Sequence, residues 1–366
     1  MKRTGITAAI IFLTIFLHGK CFAQTGTNDS VKLDYRKIYS YCLDANLKPV
    51  FVLLEFDAGK KVSDKDQLFR KNFNDRFKYN IDQSNFLTGK RSSIDGLLSI
   101  FQSYWRHSLL DSANSYDTLL WHTLHSFLKN DYPALKAMPY NIDSVDSYVK
   151  KYVADKGLYM TDGIGKTGKL FDLLVWKTQK DTTYNFSLHK ETTSSRVVFM
   201  IDFITLGWEE YATLGRYYPG GWATNDALYC VRSAYDLSSE HFLVSYLAHE
   251  SRHFADYKLF PKLKSTDLEY RAKLVELSLA KKSIYELINF FIDNANYESD
   301  NGHSVADYCV MRDLSKAIFK TGIEKDKTKW VKIDAKKINK AAAKILQENT
   351  KEMMMKGGPT IERFIK

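Results

Sequence analysis

Between about residue 170 and residue 231 the chain changes texture, and that one window limits the folds open to it. The stretches LFDLLVWKTQ, TTYNFSLH and SSRVVFMIDFIT are rich in β-branched and aromatic residues and are separated by polar turns, which predicts strands. A further strand, Gly221 to Val231, is expected after a Pro-Gly-Gly turn. Upstream, Ser92 with Asp95 opens IDGLLSIFQSYWRHSLL, and YDTLLWHTLHSFLKND and SVDSYVKKYVADKG follow with apolar residues at helical spacing. Downstream, helices are expected over 238–258, 265–298, 303–319 and 334–355. No internal repeat of fixed period is present. The order of helices, then a small sheet, then helices predicts an α+β fold. A small mixed sheet would be flanked by an N-terminal helical region and a helical C-terminal lobe.

The first residues differ in kind. MKRTG is basic, ITAAIIFLTIFLHG is apolar but short for a bilayer span, and CFA before Gln24 resembles a small-residue cleavage site. An export leader over 1–23, cut after Ala23, is therefore expected. A lipid-anchoring site at Cys21 is disfavoured, because Lys20 stands where such motifs want a small residue. No later stretch reaches the roughly 18 to 20 apolar residues of a membrane helix. The expectation is an exported protein, periplasmic or secreted, with no membrane span. After the leader, the sequence divides into a helical region over 24–155, a lobe of sheet plus motif helix over 156–260, and a helical lobe over 261–366 with a basic tail.

Removing the leader takes Lys2, Arg3 and Lys20 from a net charge of +10, leaving +7. From Leu314 onward, 14 Lys and Arg face 6 Asp and Glu, so the excess sits in the tail. No aromatic-interleaved basic motif accompanies it, and it reads as a solvated helix face with no nucleic-acid partner. Export permits disulfides, but only Cys42, Cys230 and Cys309 remain, none at metal-type spacing.

One run carries chemistry. YLAHESRHFADY contains His249-Glu250-Ser251-Arg252-His253. Ser238 and Ser239, with Glu240 just inside, make a helix start, and neither Pro nor Gly interrupts the chain before Pro261. His249 and His253 then lie one turn apart on one face. That spacing lets two imidazoles converge on a single Zn²⁺, with Glu250 beside them as the carboxylate that can take a proton from an attacking water.

On these residues the chain resembles the zincin metallopeptidases, whose HExxH helix follows a sheet with a substrate-binding edge strand. The resemblance covers roughly residues 195 to 310 and would make Gly221 to Val231 that strand. It excludes the metzincin branch, because Asp256 and Leu259 stand where a Gly and a His are needed. The gluzincin branch takes its third ligand from a Glu on a later helix. STDLEYRAKLVELSLA offers Glu269, with Thr266 or Asp267 as a helix cap and small Ala272 allowing close approach. Glu276, seven residues on, shares nearly the same face and competes for the role. The family often has an Asp four residues after the ligand Glu to orient a histidine; here that position is Lys273, and Asp256 is the substitute considered. For the oxyanion donor the resemblance points to His303, with Tyr297 and Tyr308 as alternatives. Peptide or protein is the substrate class it implies.

Other signals carry less. Gly163 to Lys169 nearly spells a phosphate-binding loop, but Leu170 follows where Ser or Thr must meet Mg²⁺. His107, His122, His125 and His189 read as packing or surface residues, and nucleophile motifs built on Ser or Cys are absent. The reading is an exported zinc-dependent peptidase in which His249, His253 and Glu269 bind the metal and Glu250 is the general base. Its rivals are a secreted binding protein that keeps a zincin-like fold without turnover and, more weakly, a purely structural zinc site. N-terminal sequencing of the exported protein should begin at Gln24; a mature chain that keeps Met1 to Ala23 contradicts the leader.

Overall fold

Helical periodicity upstream and downstream, with β-rich sequence between, folds as an α+β protein in the computed structural model. Residues 12–14, 30–55, 61–81, 92–188, 191–224, 226–299 and 301–365 are described. The expected leader falls outside the described residues apart from Phe12–Thr14, a short strand, and His189 falls outside them too. Among the described residues no helix is long and apolar enough to cross a membrane.

The chain forms two compact units, each built from separated stretches. Among the described residues, one unit lies within 12–180 and 200–220 and the other within 181–199 and 221–366. The long strands Leu174–Leu188 and Glu191–Leu206 contribute residues to both, so the division cuts within strands. The two strands expected over 170–179 and 182–189 are instead a short strand, Leu170–Phe171, and one continuous strand, Leu174–Leu188.

In the first unit the helices Asp95–Leu110, Asp117–Leu128 and Ile142–Asp155 bury the faces their periodicity predicts, with Phe101, Trp105, Leu124 and Val149 in the core. Asp95 accepts a 2.7 Å hydrogen bond from the Ser92 amide, but the helix begins at Asp95 itself, with Ile94 before it and no side-chain cap. Arg76 is buried, donates to the Tyr211 carbonyl at 2.7 Å and lies over the Tyr211 ring. The near phosphate-loop is a tight turn between Lys166–Thr167 and Leu170–Phe171, which pair antiparallel. Lys169 reaches the Asp44 carbonyl at 2.7 Å, a structural use of the lysine.

In the second unit the stretch expected as one strand, Gly221 to Val231, turns back on itself. Pro219–Ala223 and Leu228–Val231 pair antiparallel, with Tyr229 opposite Trp222. Thr224 makes the turn: its amide and hydroxyl both donate to the Ala227 carbonyl, and that local closure outcompetes an extended chain. Leu228–Val231 is therefore interior to the sheet, between Pro219–Ala223 and Glu191–Leu206. The helices that follow pack around Leu274, Ile288, Val310, Leu314 and Trp330. Cys42, Cys230 and Cys309 are free and buried.

The helix expected over 265–298 is two, Ser265–Leu279 and Ile284–Asn294. No Gly or Pro marks the break. Glu240, some forty residues upstream, supplies it: its carboxylate accepts the amides of Lys281, Lys282 and Ser283 and the Ser283 hydroxyl, at 2.8 to 3.1 Å. An anion at a helix start satisfies amides that the helix leaves open. Burial alone would raise the Glu240 pKa, but these donors outweigh it and hold the carboxyl at about 2, against an ordinary 4.5. Glu240→Ala should cost about 0.5–2 kcal/mol, read as a lower urea midpoint at pH 7. A depressed carboxyl stabilises the fold fully above its ordinary pKa and loses that contribution as the pH falls from 4.5 through about 2. The two chains should therefore converge in stability at the acid end of that window.

Candidate metal centre

The residues of the HExxH run reach their positions through the aromatic segment before them. Ser239 caps the start, its hydroxyl accepting the Phe242 amide at 3.1 Å. His241–Ala248 then winds in wider π-type turns before the α-helix His249–Leu259, so the expected helix over 238–258 has two windings. Such turns often occur beside functional sites. Tyr246, fully buried, donates its hydroxyl to the Tyr229 carbonyl at 2.8 Å. Gly221 makes room for this contact: a β-carbon there would sit 2.3 Å from the Tyr229 oxygen and 2.8 Å from the Tyr246 ring. Ser251 and Ser195 share a hydrogen bond of 2.9 Å, which ties the helix to strand Glu191–Leu206. The sheet thereby holds one side of the helix while the histidines face away from it.

His249 and His253 stand one turn apart, ring centroids 4.9 Å from each other. Glu269, from helix Ser265–Leu279, closes the group: its carboxylate oxygens lie 3.3 Å from His249 Nε2 and 3.4 Å from His253 Nε2. One ligand atom from each of the three falls within 4.8 Å of the others. All three side chains are buried, and so is Glu250. His249 Nε2, both His253 nitrogens and both oxygens of Glu269 and Glu250 make no hydrogen bond. A buried polar atom left in that state costs about 1–3 kcal/mol, and buried polar groups are ordinarily satisfied. Two imidazole nitrogens and a carboxylate, buried and aimed at one point, fit a divalent cation.

Burial would raise the Glu269 pKa, but His303 and His249 outweigh it and hold the carboxyl well below its usual range. Burial would lower the His249 pKa, but Glu269 and Glu276 overcome it and push the imidazole up to about 10. Glu250, without a hydrogen bond, is shifted upward by burial.

The two candidate carboxylates separate cleanly. Glu269 joins the cluster; Glu276 lies on the other side of the His249 ring, its Oε1 at 2.7 Å from Nδ1. Asp256, considered as the partner for a histidine, is instead buried between arginines. It pairs with Arg252 one turn back and with Arg271, whose Nε and Nη2 lie 2.8 and 2.9 Å away. Arg271 goes on to Thr350, at 3.0 Å, and to Asn349 on helix Ala335–Lys356. Charge decides this, since two guanidiniums offer Asp256 more than one neutral imidazole can. Asp267 does not cap its own helix either: it accepts the amides of Phe364 and Ile365, at 3.0 and 2.8 Å. Thr266 makes no cap, and Ala272 is fully buried.

His303 reaches the centre. Asn301 caps helix Gly302–Phe319, accepting the His303 amide at 2.9 Å, and His303 Nδ1 lies 3.0 Å from Glu269 Oε2. Its side chain is 34% exposed, against 0% for Glu269, so it stands at the solvent side of the cluster. Tyr297 and Tyr308 instead pack on each other with ring centroids 5.2 Å apart. Sequence reasoning missed a buried ion pair, Lys273 with Asp307 at 2.9 Å. Burial would lower the Lys273 pKa, but Asp307, Glu269 and Glu276 raise it above the usual lysine value. Only the apolar company of Lys273 along its helix hinted at this burial.

Compared with protein-family models, with curated proteins and with solved structures, the chain matches none. Asp256→Ala should destabilise the metal-free protein by about 3–5 kcal/mol, because two arginines lose their buried counter-charge. Chemical denaturation checks this, and the folded variant should keep wild-type affinity for a divalent cation.

Proposed function

We propose that this protein is a zinc-dependent peptidase of zincin type, gluzincin-like in its ligand set, that works after export. The observation that carries the reading is Glu250: a wholly buried carboxylate, neither oxygen hydrogen-bonded, one residue from the first of two histidines that converge with Glu269. A structural metal site gains nothing from a free acid in that place. His249, His253 and Glu269 would hold the ion, a two-histidine, one-carboxylate set typical of catalytic zinc. When bound, zinc supplies Lewis acidity, lowering the pKa of water toward about 7 and polarising a carbonyl.

The remaining work falls to the chain's own side chains. Glu250 takes the proton of the attacking water and returns it to the departing amine; a buried carboxyl with raised proton affinity suits both steps. His303, the more exposed group beside Glu269, is suited to donate to the oxygen that gains charge as the carbonyl is attacked.

Metal analysis of the purified chain should find about one zinc per molecule. Glu250→Gln should retain that zinc and lose about 10²–10⁴-fold in cleavage of a peptide library, while His249→Ala should lose both. If Glu250→Gln leaves cleavage intact, the peptidase reading fails. A zinc-bearing chain that cleaves nothing would favour the secreted binding protein.

A further inference from the structure

We infer that Glu276 is the positioning residue for His249: it holds the imidazole with the proton on Nδ1 and the Nε2 lone pair turned toward the cation. The inference rests on the metal-binding reading above. Carboxylates face both ring nitrogens, Nδ1 more closely; with a cation on Nε2 the imidazole is neutral and its one N–H lies on Nδ1, against Glu276. Glu276 Oε1 lies 2.7 Å from Nδ1, with the two side chains 6% and 1% exposed, so water does not compete for that contact. The opposite nitrogen, Nε2, makes no hydrogen bond and faces Glu269 at 3.3 Å. Glu269 and Glu276 lie seven residues apart on one helix, about 10 Å along its axis at 1.5 Å per residue. They share a face, and the His249 ring stands between them.

The same geometry removes Glu276 from the ligand set. To ligate beside Glu269 it would have to approach from the Nε2 side, and it occupies the other. Its own buried charge has a counterpart in Lys273, one turn earlier on the same helix, whose Nζ lies 2.9 Å from Asp307. His253 has no equivalent partner, since neither of its nitrogens is hydrogen-bonded. Orientation is therefore built for one of the two histidines. Carboxylates behind metal-binding histidines typically matter by about 10–100-fold in metal affinity.

The test measures zinc affinity of the full chain by competition with a chromophoric chelator, for wild type, Glu276→Gln and Glu276→Ala. Zinc should bind with unchanged stoichiometry and weaken by about 10–100-fold in Glu276→Ala. Glu276→Gln, which keeps an accepting oxygen, should fall between. Histidine ¹⁵N spectra of the zinc-loaded chain should show the His249 Nδ1 proton hydrogen-bonded in wild type and released in Glu276→Ala. A purely structural role would lower the melting temperature and leave both readouts alone. Should Glu276→Ala fail to fold, the near-isosteric Gln variant carries the comparison. Equal affinity in wild type and the folded variants overturns this inference alone. So does loss of the metal in Glu276→Ala with retention in Glu269→Ala. A wild-type chain that binds no zinc overturns the metal reading, and this inference with it.

Discussion

The imidazole of His249 is flanked by two carboxylates of a single helix, and most of the surrounding structure can be understood as making that placement tolerable. Glu250, Glu269 and Glu276 are all buried. Taking an anion out of water costs several kcal/mol unless other groups compensate. Compensation comes from three sides: the histidines themselves, the Lys273–Asp307 pair, and His303 at the solvent edge. Among the atoms left unsatisfied, one from each of His249, His253 and Glu269 lie together. Atoms arranged in that way amount to a site that the fold has already prepared for a positive charge, as pre-organisation requires.

A second layer of charge keeps the two helices in register. Asp256 from the motif helix meets Arg271 from the carboxylate helix, and Arg271 is held in turn by Asn349 and Thr350. Part of the basic surplus downstream of Leu314 lies on helix Ala335–Lys356, whose inner face buries Ile338, Ala342, Leu346 and Met353 while its lysines lie outward. That arrangement matches the solvated-face reading of the charge run.

Local patterns were legible in the sequence and distant ones were not. Two histidines a turn apart need only a helix to meet, so His249 and His253 could be paired from spacing alone. Glu269 and Glu276 were both visible as carboxylates on the correct face. Which of them touches Nε2 and which Nδ1 depends on how the helices cross, and spacing does not carry that. Asp256 misled because proximity in sequence suggested a histidine, whereas Arg271, fifteen residues away, offered the stronger partner. The break at Ala280–Ser283 left no mark in its own residues, since its cause is Glu240. The turn at Thr224 was overlooked because Asn225-Asp226 lacks the glycine that usually announces a hairpin.

Asp267 lies in the first turn of the helix that carries Glu269, and its carboxylate is engaged by backbone amides 97 and 98 positions downstream. Arg271, on the next turn, waits for partners 78 and 79 positions away. Contacts of such long sequence separation form late, because loop closure must come first. Synthesis from the N-terminus therefore exposes the HExxH segment well before the groups that steady its carboxylate helix exist. A cation that needs all three side chains held in place would therefore be captured among the closing events of folding.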